Sequence, residues 1–205
     1  MKEIRTYSPD KELVEEKREH IVKCARDIFA KNGYHKTTLR EIMKACDMGA
    51  GVLYHYIGTK EDILYLVMVS SVENTKKTVD EVLKRCETLK AKEKLIELIR
   101  VLVQISEDGQ DNMIMENREL KNLNRGARQV LLDGYMSHNS TIEKVLIQGV
   151  KTGEFMIEDT FLVAHQLTVT TNAWALQRWY LRNRYTQEQF TNFVINDIMQ
   201  AILKK

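Results

Sequence analysis

Proline is almost absent from this chain: Pro9 stands alone among 205 residues, and glycine occurs only nine times. With so few breakers, long helices can run uninterrupted, and an all-α fold is expected. Cysteine is scarce as well. Cys24, Cys46 and Cys86 are odd in number and widely spaced, which argues against a disulfide framework or zinc site and for small buried apolar residues. No apolar run approaches the roughly 20 residues that span a bilayer. The opening MKEIRTYSPDKELVEEKREH lacks the apolar core of a signal peptide. A cytoplasmic protein without a membrane partner is expected. His20, His35, His55, His138 and His165 are scattered, so no metal site is expected. Without a nucleophile–base pair, phosphate loop or spaced carboxylate pair, neither catalytic residues nor a cofactor are expected.

The charge is nearly balanced, at +2. Residues 1–60 carry 12 Lys+Arg against 9 Asp+Glu, so any basic footprint must be local and near the N-terminus.

What the chain does have is helical periodicity. Ile21, Cys24, Ala25, Ile28 and Phe29 form one apolar stripe of a helix over 11–32, and Gly33 is its stop. Residues 1–10 lack periodicity and read as a mobile arm. Thr38 and Glu41 make a capping box that starts a helix near Leu39, ending by Ala45 or Cys46. After the short Asp47–Gly49 break, a second helix runs over 50–56. Two short helices across so tight a turn are expected to cross steeply, as in a helix-turn-helix. Further helices are expected over 60–86, 92–107, 111–122, 125–151, 159–183 and 187–203.

The short helix Ala50–Tyr56 raises the functional question. Leu53 and part of the Tyr54 ring read as core, which leaves His55 and Tyr56 outside with Gly51 and Val52, where lysine or glutamate would be ordinary. Glycine inside a helix costs about 1 kcal/mol relative to alanine, and close approach to another surface would justify it at position 51. Tyrosine donors for phosphate, a histidine for a base edge and small residues for close approach fit a helix entering a DNA major groove.

Residues from about Glu19 to Leu66 resemble the DNA-binding domain of TetR-family transcriptional regulators. The pattern runs as AxxxFxxxGYxxTTLREI, then GxLYHY, then KEDIL, with Ala25, Phe29, Gly33, Tyr34, Thr37, Thr38, Ile42, Gly51, Leu53, Tyr54, Tyr56, Lys60 and Leu64 in register. The resemblance implies a flexible arm over 1–14, a three-helix helix-turn-helix domain over 15–66, and a helical ligand-binding and dimerisation domain over 67–205, with about nine helices. It implies double-stranded operator DNA as a partner, contacted through Thr37, Thr38, Arg40, Gly49, Ala50, Gly51, Tyr54, His55, Tyr56 and Lys60. Thr38 and Tyr56 would meet phosphates, His55 would lie nearer the bases, and Lys60 would be a point charge on the backbone. The chain departs from the family at Asp47 (usually glycine), Gly49 (often a serine cap), Ala50 (commonly lysine) and Ile57 (usually phenylalanine).

The resemblance also implies a homodimer whose last two helices form the seam. Two stripes at helical spacing would supply it: Ala164, Thr168, Thr171 and Ala175, then Phe190, Val194, Ile198 and Ile202. The competing reading is that both stripes face the monomer's own core. NRELKNL, NAWALQRWYLR and GVKTGEF resemble the family's acyl-CoA-responsive subgroup, which implies a small-molecule effector of the acyl-CoA thioester class. Met113, Met115, Leu120, Tyr135, Trp174 and Trp179 would line an apolar tunnel, with Arg118, Arg178 and Arg182 as a cationic mouth. Ordinary packing for the tryptophans and paired surface positions for the arginines compete with this. A lipophilic cation would instead use Glu116 and Glu119. A DNA-tethered protein that binds a protein partner is the remaining alternative.

Overall fold

The computed structural model describes residues 4, 6, 7 and 9–203, and its regular elements are ten α-helices and one 3-10 turn. The helices are α1 (Lys11–Asn32), α2 (Leu39–Ala45), α3 (Ala50–Tyr56), α4 (Lys60–Arg85) and α5 (Ala91–Asp108). They continue as α6 (Gln110–Glu119), the 3-10 turn (Leu120–Asn122), α7 (Arg125–Lys151), α8 (Thr160–Leu176), α9 (Arg178–Leu181) and α10 (Gln187–Ile202). The expected helix over 159–183 is two helices, because the backbone leaves helical geometry at Gln177, φ −117° and ψ 23°. The helix expected over 111–122 tightens into its 3-10 end after Glu119.

Local chemistry accounts for the element ends. Asp10 accepts from the Leu13 N–H to start α1, and Gly33 at φ 80° stops it. Thr38 and Glu41 form the expected reciprocal box, with Thr38 N donating to Glu41 Oε2 at 2.7 Å. Thr59 and Asp62 meet at the start of α4 through side chains: the Asp62 N–H donates to the Thr59 hydroxyl at 3.1 Å, and that hydroxyl donates to the Asp62 carboxylate at 2.8 Å.

The chain compacts into two units that do not follow chain order. The first extends to Glu73 and also takes in Ile114–Asp133; the second holds Asn74–Met113 and Gly134–Lys205. The boundary expected at residue 66 therefore lies within the first unit. Its core joins Ile21, Ala25 and Phe29 of α1 to Ile42, Leu53, Leu64 and Met68, and Met115, Leu123, Ala127 and Leu131 complete it. The expected arm is part of this unit where it is described. Ile4 is buried and accepts from Arg18 at 2.8 Å, while the Tyr7 N–H donates to His55 O at 3.1 Å. Residues 11–14 belong to α1, and residues 1–3, 5 and 8 lie outside the described residues.

In the second unit α5 packs against α8 and α10, around Leu95, Leu98, Ile99, Leu167, Trp174 and Val194. After α7 the chain folds back at Gly153, φ 75°, and lays the buried Phe155 ring on Gly149. A Cβ at Gly149 would sit 2.0 Å from that ring, so the segment GVKTGEF has a packing reason for its first glycine. Gly149→Ala should destabilise the protein by about 1–3 kcal/mol through overpacking, read as a lower urea midpoint. A midpoint equal to wild type would show that Phe155 can leave its seat without cost.

Candidate nucleic-acid interface and effector site

In the first unit α1, α2 and α3 pack on one another. The turn between α2 and α3 carries Asp47 at φ 52°, the non-glycine residue of positive φ among the described residues, where the family usually has glycine. The Met48 N–H donates to Met43 O at 2.9 Å and closes that turn. α3 starts at Gly49 without a side-chain cap, as the sequence leads one to expect.

The rings of α3 are arranged differently from the expectation. Tyr56 is 8% exposed and belongs to the core, whereas Tyr54 is 46% exposed. Helical spacing explains it: Leu53 and Tyr56 are three apart and share the face turned to α1, which sends Tyr54 outward. His55 is half-buried beside the rings of Tyr56 and Tyr7, at 5.0 and 6.0 Å. The tyrosine on the outer face of α3 is therefore Tyr54, and Val52, also exposed, stands beside it. A Cβ on Gly51 would meet nothing within 4 Å, so the protein's own packing does not demand glycine there.

Three other expected contacts have different work. Thr37 is 1% exposed and donates to Gly33 O at 2.9 Å, so it closes the end of α1. The Thr38 hydroxyl gives its proton to Glu41 Oε2 at 2.8 Å. Lys60 points inward: its ammonium donates to Tyr34 O at 3.0 Å and Thr37 O at 2.9 Å and stands 4.4 Å from the Tyr34 ring centroid. Arg40, Gly49, Ala50 and Gly51 stay on the exposed surface, with Lys36 and Lys44 as further exposed cations.

The segment from α6 to α7 is tied into this unit by polar contacts that the sequence did not reveal. Buried Glu119 faces His35 at 3.2 Å and accepts from Asn122. Glu61 accepts from the Asn124 backbone and side-chain amides, each at 3.0 Å. Burial pushes the Glu116 carboxyl up to about 7, against the opposing effects of a Ser71 hydrogen bond and the Arg26 charge. Glu119 thus has its partners inside the first unit, while Glu116 meets Ser71 there and keeps Oε1 buried without a hydrogen-bond partner.

The residues expected to form one effector lining are divided between the units. Met115 and Leu120 pack in the first unit's core and Arg118 is exposed there, while Met113, Tyr135, Trp174, Arg178, Trp179 and Arg182 belong to the second. Trp174 is buried, 5.1 Å from Phe190, and its indole N–H donates to Glu107 at 2.6 Å. Arg182 donates to the same Glu107 oxygen, and Arg178 pairs with Asp111 at 3.3 Å. Burial would raise the Glu107 carboxyl, but these donors and the two guanidinium charges outweigh it and hold it low. Two of the three arginines of the expected mouth, Arg178 and Arg182, are thus paired, and Trp179 and Tyr135 are exposed. The set that sequence reasoning missed is Ser106, Gln110, Asn112, His138 and Asn139, which keep buried polar atoms without a protein partner. Such atoms are unremarked in sequence because nothing local distinguishes them from solvated ones.

The expected seam is corrected as well. Ala164, Thr171, Ala175, Phe190, Val194, Ile198 and Ile202 are buried within the chain's own fold and Thr168 is half-buried, so the stripes face inward. α8 carries a second, exposed stripe instead, with Leu162 at 58% and Val169 at 56% followed by Leu176, and α10 exposes Phe193 at 64%. Among the described residues no group of three or more His, Cys, Asp or Glu could hold a metal ion, and no helix is long and apolar enough to cross a membrane.

A helix-turn-helix in the first unit and a helical body in the second give the architecture of a helical DNA-binding regulator. Residues 21–65 match the model for bacterial regulatory proteins of the tetR family, and residues 88–199 match a tetracyclin repressor-like C-terminal domain. The chain belongs to the TetR family of transcriptional regulators. It is 27% identical over 189 residues to the HTH-type transcriptional regulator HbdR of Aromatoleum sp. (strain CIB), covering 91% of this chain and 81% of that protein. It is 24% identical over 186 residues to the fatty acid metabolism regulator protein of Bacillus subtilis (strain 168), covering 90% and 95%. The solved structure of AibR in complex with isovaleryl coenzyme A and operator DNA matches with a TM-score of 0.72 at 21% identity, over 88% of this chain and 96% of that one.

Glu116 makes the first unit sensitive to pH. An acid raised from 4.5 to about 7 stabilises the fold while protonated; that contribution is whole below pH 4.5 and is lost as the pH rises through about 7. Between pH 4.5 and 7.5 the wild type should lose roughly 3 kcal/mol relative to Glu116→Gln, in urea titrations at a series of pH values. Parallel pH profiles for the two proteins would contradict a buried, protonated carboxyl.

Proposed function

We propose that this regulator is a ligand-responsive repressor that binds a palindromic operator as a homodimer and is released by a small-molecule effector, an acyl-CoA thioester. The DNA reading is carried by the exposed face of α3, where Gly51, Val52 and Tyr54 stand outward, with Arg40 on the neighbouring helix. Small residues admit the helix to the groove, Val52 offers an apolar contact, and Tyr54 and Arg40 donate to phosphates. The effector class is supported by the two relatives whose names carry a fatty-acid role and a bound isovaleryl coenzyme A. Effector binding favours a state whose two heads no longer match successive major grooves, and DNA is released by population shift.

An operator recovered by selection from genomic fragments provides the test. Tyr54→Phe and Arg40→Ala should each weaken binding by about three- to tenfold, and Arg40→Ala should flatten the salt dependence by about one unit per half-site. Unchanged affinity in both variants would remove α3 and the start of α2 from the interface.

Homodimerisation rests on the second face of α8. Leu162, Val169 and Leu176 recur every seven residues, the spacing of a helix seam, and Phe193 of α10 adds a ring. A helix apolar on both faces needs a partner for the one its own core does not cover. The double variant Val169→Glu, Phe193→Glu should sediment as a monomer, with operator affinity lower by about a hundredfold or more. A dimer of wild-type strength would place the seam elsewhere.

A further inference from the structure

We infer that Ser106, Gln110, Asn112, His138 and Asn139 line a subsite for an uncharged ligand segment bearing amide or carbonyl groups. This rests on the effector reading above and narrows it. All five belong to the second unit, and each keeps a buried side-chain polar atom without a hydrogen-bond partner. Ser106 is fully buried, and Asn139, nearly so, leaves both its carbonyl oxygen and its amide nitrogen unpaired. Buried polar groups are normally satisfied, so five in one unit require an account.

They occupy the same end of the unit. At the other end the Ala91 and Lys92 N–H groups donate to Glu154, and Lys94 donates to Gln148 at 3.2 Å, which sets α5 and α7 antiparallel. Ser106 lies about 18 Å along α5 from Lys94, and Asn139 about 14 Å along α7 from Gln148, in opposite chain directions. Leu102, Val103, Ile142 and Leu146 share one core between those points. Gln110 and Asn112 follow Ser106 across the turn into α6.

The composition selects the ligand chemistry. A carboxylate or phosphate needs a cation, and a lipophilic cation needs a carboxylate; this set has neither. His138 is held neutral by burial, which lowers its affinity for a proton. Serine, glutamine, two asparagines and a neutral imidazole together donate and accept, which matches amides, hydroxyls and thioester carbonyls. In an acyl-CoA the uncharged arm between acyl chain and nucleotide has that chemistry.

The full-length protein is titrated calorimetrically with octanoyl-pantetheine, octanoyl-CoA, octanoate and a quaternary alkylammonium, and its unliganded melting temperature is recorded. Octanoyl-pantetheine and octanoyl-CoA should bind, while octanoate and the ammonium should bind at least about tenfold more weakly. Asn139→Leu should melt at or above the wild-type temperature, because an orphaned amide is removed, yet bind octanoyl-pantetheine about tenfold or more weakly. Ser106→Ala should weaken it in the same direction, so the inference does not depend on one variant. Tighter binding of octanoate or the ammonium than of octanoyl-pantetheine overturns the subsite while leaving an effector-responsive regulator intact. Asn139→Leu and Ser106→Ala that bind octanoyl-pantetheine as well as wild type overturn it too, leaving the five groups to water. Binding by none of the four probes, with operator affinity intact, overturns the subsite together with the acyl-CoA effector.

Discussion

The α1–α2 loop of the first unit hangs on one ammonium group. Lys60, at the first position of α4, closes on the carbonyls of Tyr34 and Thr37 and lies over the Tyr34 ring, adding to the turn bond that the Thr37 N–H makes to Tyr34 O at 3.3 Å. Charge-assisted bonds of this kind contribute about 1.5–3 kcal/mol each. Arg18 repeats the device at the end of α3, donating to Tyr56 O at 3.0 Å and to Ile4 O. The two cations hold both ends of the helix-turn-helix, and the capped Thr38 and the Asp47 turn only complete what they frame.

That use of charge has a consequence for DNA. A cation spent on backbone carbonyls is withdrawn from phosphate, and α3 itself has neither a side-chain cap nor a lysine. On the DNA reading proposed above, binding draws on exposed cations near α3, Arg40 with Lys36 and Lys44, and on close approach by Gly49 to Val52. Such a head would dock by shape first and by charge second.

Much of this was legible in the chain because helix ends are local chemistry. The bounds of α1, α2, α3 and α7 follow from periodicity, Gly33 and the Thr38–Glu41 box, while the Asp10 cap of α1 went unread. What could not be read is what depends on distant partners. Tyr54 and Tyr56 exchange places because α1, not α3, decides which side is inside. Lys60 looked like a phosphate ligand until its carbonyl neighbours were in view. The break at Gln177 goes with a contact about seventy residues away, since Trp174 and Arg182 both reach one oxygen of Glu107, and a straight helix would hold them about 12 Å apart along its axis. The α8 and α10 stripes were expected to form a dimer seam and instead face the chain's own core, because spacing cannot say whether a partner is the same chain or a second copy.

Two features of the second unit conflict with the needs of a lone folded chain, and the conflict is informative. α8 carries apolar side chains on a face its own core leaves open, and the α5–α7 region buries polar groups that nothing among the described residues satisfies. Each exposes or strands groups at a cost in stability, and leucine at Asn139 or glutamate at Val169 would relieve it. Both features fit the proposed function, in which a second copy and an effector complete the fold. The exposed face asks for an apolar surface of its own kind, and the stranded groups ask for an uncharged polar ligand. An unliganded state kept short of full stability in this way leaves binding energy available to shift a population, which is what release from DNA by an effector requires.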